Sequence, residues 1–328
     1  MQGRMVVTRS PLRITFVGGG TDLPFYYENR DYGAVVSSTI NKYIYVAVNQ
    51  KFDGDIKVSY SKTEIVNSVD AIKHPSVREA LRLMGIDGAI EIASLSDIPS
   101  KGTGLGSSST FLVGLLQALH YYKGETVTAQ VLAMEAVHIE REVLREEGGK
   151  QDQYAAAYGG INLMRFRRDG RVELKRATCT EGNLKKIGDS LLLLYTNKQR
   201  RSKDIQKDQF AHSSENMEIY DKMKELVEPA FEALCEGNVD LLGKYMHENW
   251  QLKRTLSRKI SDEWIDEKYK KALSLGAKGG KLVGAGGGGF LLIVADPDKH
   301  GTIVKELGLR KIDFKLNGAG STVVFCGD

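Results

Sequence analysis

The stretch from Pro99 to Ser109 reads P-S-K-G-T-G-L-G-S-S-S and lies between a predicted strand, Ala89–Leu95, and a predicted helix, Ser107–Tyr122. Glycines at alternate positions expose consecutive backbone N–H groups, and the start of a helix adds partial positive charge. This junction therefore predicts a phosphate-binding loop. A tight turn with Ser107 as N-cap is the alternative, but three alternating glycines followed by three serines exceed what a cap requires.

The spacing within this stretch excludes the common nucleotide-binding motifs. A Walker A loop needs Gly-Lys-Ser/Thr, and the Gly-Lys pairs of this chain are followed by Gln151, Tyr245 and Leu282. The dinucleotide fingerprint needs GxGxxG, whereas the glycines here are spaced GxGxG. No HRD or DFG motif indicates a protein kinase.

The composition places the glycines in local loops. Glycine accounts for 35 of 328 residues, against about 23 at an average usage of ~7 %. Proline is scarce, and no three-residue period is present, so disorder and collagen are excluded. The hydrophobic fraction of 41 % supplies a sizeable core.

Charge and cysteine usage indicate the environment. The net charge of +4 comes without a long basic run, so we expect no nucleic-acid partner. Three widely separated cysteines without CxxC spacing favour a reducing compartment over a disulfide framework or a zinc site. No apolar run approaches the ~18 residues of a membrane span. We therefore expect a cytoplasmic protein without a membrane partner.

The order of predicted elements indicates an α+β fold in two domains. Strands and helices alternate irregularly up to Ser190–Tyr195, residues 203–275 are almost continuously helical, and the end of the chain returns to strands. We place the domain boundary between residues 170 and 190, which gives domains 1–185 and 186–328. A second helix is predicted at Ala129–Glu146 and a short one at Gln151–Tyr158.

The glycine stretch resembles the second motif of the GHMP kinases, a family that includes galactokinase, homoserine kinase, mevalonate kinase and phosphomevalonate kinase. Three further blocks resemble that family, in its order. They are Pro11–Pro24 (P-L-R-I-T-F-V-G-G-G-T-D-L-P), Gly148–Gly160 (G-G-K-Q-D-Q-Y-A-A-A-Y-G-G) and Lys281–Phe290 (K-L-V-G-A-G-G-G-G-F). The resemblance implies an N-terminal mixed α/β domain with ribosomal-protein-like βαβ topology and a C-terminal antiparallel sheet with helices.

Some segments are more specific within the superfamily. G-G-G-T-D-L-P, the block around Asp152 and R-R-S-K-D-I-Q-K-D-Q look most like the D-glycero-D-manno-heptose 7-phosphate kinases and the kinase half of fucokinase-like enzymes. These enzymes phosphorylate an anomeric sugar hydroxyl from ATP. Gly20 replaces the His of the galactokinase His-Thr-Asp, which argues against a plain galactose pocket. A kinase for a free hexose and a non-catalytic regulator that binds nucleotide and sugar remain alternatives.

The resemblance assigns the transfer chemistry to named residues. Asp152 is the expected acceptor of the sugar hydroxyl proton, and Arg13 is the cation expected beside it. A helix-capping role is the alternative for Asp152, and a surface position at a strand end is the alternative for Arg13. For Mg²⁺ the expected ligands are Ser108 and Glu140, with Glu142 as the rival of Glu140 in the same acidic helix.

The remaining expected contacts are with ATP and the sugar. The ATP phosphates are assigned to Lys101, Gly102, Thr103, Gly104, Leu105, Gly106, Ser107, Ser108 and Ser109. The sugar is assigned to Gly19, Gly20, Thr21, Asp22, Gly286, Gly287 and Gly288, with Arg200 and Arg201 as a second anion site for a sugar phosphate. Adenine has only a candidate segment, Lys57–Val66. We expect ATP and Mg²⁺ as cofactors, a sugar or sugar phosphate as the partner, and a monomer or homodimer.

Overall fold

The computed structural model describes residues 5–99, 102–198, 202–212 and 214–327. Its strands are β1 (Met5–Val17), β2 (Tyr32–Gln50), β3 (Ile56–Ser59), β4 (Thr63–Val66), β5 (Ile90–Ser96), β6 (Ile161–Arg167), β7 (Val172–Arg176), β8 (Leu191–Tyr195), β9 (Ala277–Leu282), β10 (Phe290–Ala295), β11 (Arg310–Ile312), β12 (Leu316–Asn317) and β13 (Thr322–Gly327).

The helices lie mostly in the middle and later parts of the chain. They are α1 (Pro24–Tyr27), α2 (Pro75–Met84), α3 (Ser107–Tyr122), α4 (Ala129–Val137), α5 (Gln151–Tyr158), α6 (Glu181–Asp189), α7 (Ser202–Ala211), α8 (Met217–Glu225), α9 (Val227–Cys235), α10 (Val239–Thr255), α11 (Glu263–Ser274) and α12 (Pro297–Leu307). A 3₁₀ helix, Val69–Ala71, precedes α2.

The first sheet is organised by the long strand β2. It pairs with β1 along most of its length, with β6 through residues 32–38 and with β5 through residues 44–50. The pairs are antiparallel except β3 with β5, which is parallel. The sequence predicted only Ile40–Val48 of this strand, yet the small and β-branched residues before it continue the same extended backbone. Helices α3 and α5 pack on this sheet and bring their N-terminal ends to one side of it.

The second sheet has the order β11-β8-β10-β9 and is antiparallel throughout. Its central strands are buried on both faces, as expected for the apolar runs L-L-L-L-Y and F-L-L-I-V-A. Helix α10 lies directly on β9 because Gly243 and Gly279 meet backbone to backbone, with no room for a side chain on Gly279.

The last strands of the chain return to the first sheet. β13 pairs with β1 and β12 pairs with β2, so they cover backbone groups that those strands would otherwise expose. The expected domain boundary lies at residue 185/186. Residues 316–327 come after this boundary in the chain but belong to the first sheet, with the strands of the N-terminal half.

One predicted helix changes type partway along. The expected helix Ala129–Glu146 is α-helical only to Val137 and continues as a π-helix over His138–Val143. The wider turn ends with the Glu146 N–H bonded to the Glu140 carbonyl at 2.8 Å, and such segments concentrate at functional sites. The described part of the chain contains no helix that is long and apolar enough to cross a membrane.

Candidate active site

An ion pair joins three of the sequence blocks. Arg13 on β1 donates from Nε and Nη2 to Oδ1 of Asp152, at 2.8 and 2.7 Å. Its Nη1 donates to the Gly104 carbonyl at 2.5 Å, and its backbone N–H donates to the Leu105 carbonyl at 3.1 Å. The Arg13 side chain is 5 % exposed and that of Asp152 is 23 % exposed. Asp152 therefore sits at the cleft surface, held by an arginine that also contacts the glycine loop.

The glycine loop has the backbone that its sequence predicts. Gly102, Gly104 and Gly106 all adopt positive φ angles of +68°, +74° and +78°, which glycine tolerates best. Helix α3 begins at Ser107, as predicted. A Cβ on Gly106 would lie 3.2 Å from the Asp152 carboxylate. The loop, the helix N-terminus and Asp152 therefore share one small region.

Asp22 forms a second, fully buried carboxylate in the same cleft. Its Oδ1 accepts from the Gly20 N–H and its Oδ2 accepts from Nε2 of Gln151, each at 3.0 Å. Gln151 is held in turn, because its Oε1 accepts from the Thr15 hydroxyl at 2.7 Å. Burial raises the pKa of Asp22, and the charge of Asp152 adds to that increase. Each oxygen keeps a lone pair that a substrate hydroxyl could use.

Thr21 has a different place from its neighbours. Its hydroxyl lies 2.9 Å from the Gly18 carbonyl oxygen and 2.7 Å from that of Ala34, and it accepts from the Ala34 N–H. The side chain is completely buried. The structure thus uses Thr21 to hold the turn that presents Gly19, Gly20 and Asp22, which line the cleft.

Glu140 and Glu142 have opposite surroundings. Glu140, on the π-helix, is 1 % exposed and accepts hydrogen bonds from Ser109 Oγ, at 2.7 Å, and from Gln153. Burial raises its pKa. Glu142 is exposed and bonds His138 on its own helix at 2.7 Å. The structure therefore brings Glu140, and not Glu142, to the first turn of α3.

The hydroxyl beside Glu140 is one residue from the expected one. Ser109 contacts the carboxylate, whereas Ser108 is exposed. Among the described residues, no group of three or more His, Cys, Asp or Glu side chains is arranged to hold a metal ion by itself. One carboxylate and one or two hydroxyls fit Mg²⁺ when nucleotide phosphates and water complete its oxygen shell.

The C-terminal glycine run, residues 284–289, packs against the glycine loop that precedes α3. A Cβ on Gly284 would lie 2.5 Å from the Gly104 Cα, and one on Gly289 would lie 2.7 Å from the carbonyl carbon of Thr103. Gly286, Gly287 and Gly288 instead lie against other backbone. The Gly287 N–H donates to the Ile260 carbonyl at 2.7 Å, a Cβ on Gly286 would lie 2.8 Å from that carbonyl oxygen, and one on Gly288 would lie 2.5 Å from the Lys198 carbonyl oxygen. These glycines let protein backbones meet, and Gly284 and Ala285 are the members of the run that line the cleft.

Sequence reasoning missed two buried lysines of the cleft. Lys253 on α10 is 3 % exposed, and its Nζ donates to the Gly284 carbonyl at 2.7 Å. Burial lowers the pKa of Lys253 to about 8. Lys281 on β9 is completely buried and lines the same cleft. Lys281 opens a recognised sequence block, but Lys253 lies in a helix rich in charged residues and carries no local signal.

The other expected contacts are placed only in part. The β3–β4 hairpin carries Tyr60 to a ring contact with His74, at 4.8 Å between centroids, and His74 lies 5.3 Å from the ring of Phe111 on α3. The candidate adenine segment thus lies near the helix that follows the phosphate loop. Lys101, Arg200 and Arg201 lie outside the described residues.

A glycine loop at a helix N-terminus, an adjacent Asp–Arg pair and a second buried carboxylate suit the transfer of a phosphoryl group to a hydroxyl. Comparison with known proteins agrees. The model of the GHMP kinase N-terminal domain matches residues 68–160, and the model of the C-terminal domain matches residues 230–308. The chain belongs to the GHMP kinase family, and its predicted two-domain α+β fold is confirmed.

Relatives narrow the class to sugar kinases. D-glycero-alpha-D-manno-heptose 7-phosphate kinase of Campylobacter jejuni is 30 % identical over 93 % of both chains. Galactokinase of Pyrococcus furiosus is 24 % identical over 91 % of both. The crystal structure of a D-glycero-D-manno-heptose 1-phosphate kinase from Bacteroides thetaiotaomicron has a TM-score of 0.80 at 24 % identity, covering 98 % of this chain and 99 % of that one. The protein is a sugar kinase of the GHMP family, which uses ATP as phosphate donor.

Proposed function

We propose that the protein transfers the terminal phosphoryl group of ATP to the anomeric hydroxyl of D-glycero-D-manno-heptose 7-phosphate, forming the 1,7-bisphosphate for nucleotide-activated heptose biosynthesis. The observation that carries this proposal is the Arg13–Asp152 pair, which touches the phosphate loop and faces the cleft that holds Asp22. The Campylobacter relative, named for this substrate, supports the choice of sugar.

Asp152 is the proposed proton acceptor. Its Oδ1 is engaged by Arg13, which leaves Oδ2 for the sugar hydroxyl. Arg13 orients the carboxylate. Because Arg13 also donates to the Gly104 carbonyl, it holds the carboxylate at a fixed position relative to the glycine loop. Proton removal by a positioned carboxylate contributes a factor of ~10²–10⁴ to a rate.

Asp22 is the proposed sugar-orienting group. The Gly20 N–H and the Gln151 amide fix both of its oxygens, so the remaining lone pairs point in set directions. Two acceptor oxygens in fixed positions suit two neighbouring hydroxyls of a sugar ring. Gln151 is thus a positioning residue that links the sugar site to the segment of the proposed base.

ATP and Mg²⁺ fit the residues on the other side of Asp152. The proposed phosphate contacts are the N–H groups of residues 102–109, at the positive end of α3. The proposed metal-holding groups are Glu140 with Ser108 or its neighbour Ser109. Mg²⁺, when bound, supplies neutralisation of phosphate charge.

A phosphorylated sugar needs a second anion site, which we propose at Arg200 and Arg201. Replacing both with alanine should raise the KM for the sugar phosphate and leave the KM for ATP unchanged, because the change removes guanidinium contacts to one substrate. Unchanged sugar kinetics would place that phosphate elsewhere.

The proposal is tested by a phosphorylation screen with ATP and Mg²⁺. The acceptors are heptose 7-phosphate, mannose 6-phosphate, fucose and galactose, each followed by ³¹P NMR of the product. We expect the highest kcat/KM with heptose 7-phosphate and a phosphate on the anomeric oxygen. A preference for fucose or galactose would favour the free-hexose alternative, and no turnover with any sugar would favour the regulator.

A further inference from the structure

Lys281 is a buried amine without a hydrogen-bond partner among the described residues. The side chain is completely buried on β9, and its Nζ has no hydrogen-bond partner within the residues that the structure describes. The ammonium lines the cleft together with Arg13 and Lys253. A buried amine that lacks a partner is costly to protonate, and an anion bound beside it removes that cost, so such a group lining a cleft indicates a ligand that brings negative charge.

The charges that line the cleft do not balance. The described lining residues include four basic side chains and two acidic ones: Arg13, Arg141, Lys253 and Lys281 against Asp22 and Asp152. Arg13 is paired with Asp152. Arg141 is paired with Glu140, at 3.6 Å, and also donates to the carbonyls of residues 146, 147 and 149. Among the described lining residues, Asp22 is therefore the one carboxylate left to face Lys253 and Lys281. The cleft can accept a further negatively charged group.

Lys253 lies between the glycine loop and the turn of the sugar-orienting carboxylate, and Lys281 lines the same cleft. Lys253 Nζ donates to the carbonyl of Gly284, whose Cα packs on Gly104 of the loop. On its other side, Lys253 Nζ lies 3.8 Å from the position of a Cβ on Gly19, next to the turn of Asp22. Lys281 is close enough for the charges of Lys253, Arg13 and Asp22 to act on it, and burial with the two cations holds its pKa well below the usual value.

We propose that Lys281 and Lys253 form a two-lysine anion site that binds the phosphoryl group during its transfer from ATP to the acceptor. Both are then catalytic residues, since their ammonium groups contact phosphoryl oxygens. In the step, the bond from the terminal phosphorus to the bridging oxygen breaks and ADP keeps the electron pair. A bond from phosphorus to the sugar oxygen forms, and the sugar proton passes to Asp152. The assignment rests on the proposed function for the kinase step, but not on the identity of the sugar.

The first test measures binding without any sugar. Calorimetry compares ADP alone with ADP plus beryllium fluoride, a mimic of the terminal phosphoryl group, both with Mg²⁺. In the wild type the mimic should increase nucleotide affinity. Lys281→Met should bind ADP within about threefold of wild type and lose at least ~10-fold of the gain from the mimic, because charge-assisted contacts to a phosphoryl group are removed. An unchanged gain would overturn the proposal.

The matched control is Lys278→Met, on the same strand. Lys278 contacts Asp240 and Asp296 outside the cleft, so its replacement should leave the gain intact. Lys253→Met carries the same expectation as Lys281→Met and keeps the test available if the first variant does not fold. Thermal melting separates the roles: a structural lysine would lower the Tm when replaced, whereas removal of an unpaired buried charge should leave the Tm unchanged or raise it.

Steady-state kinetics with the best acceptor of the wild type distinguish two phosphates that the lysines could bind. One is the phosphoryl group being transferred from ATP, and the other is the phosphate already present on a sugar phosphate. The proposal expects kcat to fall at least ~100-fold in Lys281→Met with the sugar KM nearly unchanged, as for an interaction made in the transition state. A raised KM for a sugar phosphate with kcat retained would overturn it and assign the lysines to the phosphate already on the substrate. If no sugar is phosphorylated, the proposed sugar-kinase reaction is refuted. The calorimetry with ADP and beryllium fluoride then still tests whether the two lysines bind a phosphoryl group.

Discussion

Gly284→Ala probes the contact between the two glycine loops. Gly284 has a φ of +79°, and a Cβ there would lie 2.5 Å from the Gly104 Cα, 2.7 Å from its carbonyl oxygen and 3.0 Å from its carbonyl carbon. Carbon atoms in contact are normally ~3.5 Å apart or more, so the loops must separate by about 1 Å. All of the atoms met belong to backbone, and no rotamer change relieves the overlap.

The expected loss has two parts. The left-handed backbone costs alanine about 1–2 kcal/mol, and the overlap adds about 1–3 kcal/mol, as for overpacking elsewhere. We expect the free energy of unfolding to fall by about 2–5 kcal/mol in total. The loop shift also moves the Gly104 carbonyl that holds Arg13. A displacement of about 1 Å at a reacting group costs ~100-fold in kcat/KM.

Urea unfolding and steady-state kinetics check these values, with Gly124→Ala as the matched control. Gly124 has almost the same φ, +81°, but nothing within 4 Å of its Cβ position. It should lose about 1–2 kcal/mol and keep wild-type kinetics. If Gly284→Ala and Gly124→Ala proved equal in both measurements, the close packing of the loops would not be needed to position the site.

Three further changes test single groups. Asp152→Asn should lower turnover at least ~100-fold while calorimetry shows nucleotide binding retained, because the proton acceptor is lost; near-normal turnover would remove Asp152 from the mechanism. The pKa of Lys253 is about 8 in the fold against 10.5 in the unfolded chain, so the folded state releases this proton first as pH rises. The free energy of unfolding of the wild type, minus that of Lys253→Met, should therefore increase between pH 8 and 10.5, by at most ~1.4 kcal/mol per pH unit. If urea unfolding showed the same difference at every pH in this range, the lowered pKa of Lys253 would be contradicted. Glu140→Gln should raise the Mg²⁺ concentration for half-maximal activity ~10-fold or more, and Glu142→Gln should not; equal Mg²⁺ titrations would exclude Glu140 as the metal carboxylate.

The parts of the candidate site that depend on a few neighbouring residues could be predicted from the sequence alone. The glycine loop and the start of α3 at Ser107 follow from alternating glycines before an apolar helix, and both are confirmed. Helix α5 is also confirmed, over Gln151–Tyr158. These features depend on backbone freedom and helix periodicity over a few residues, which a sequence displays directly. The choice between Glu140 and Glu142 was not readable, because it depends on a π-helical turn that rotates one carboxylate inward.

Tertiary structure brings the distant groups of the site together, and most of these contacts could not be predicted from the sequence. Arg13 reaches Asp152 across 139 positions of the chain, and Lys253 reaches the glycine run because α10 lies against β9 through paired glycines. The family resemblance already placed Arg13 beside Asp152, whereas no pattern marks the contact of Lys253, since a lysine in an amphipathic helix is usually solvated. The same holds for β13, whose β-branched and aromatic residues predict a strand but not its partner β1. Sequence determined the backbone of the glycine loop, and long-range packing determined the charges around it, because backbone conformation is a local property and burial is not.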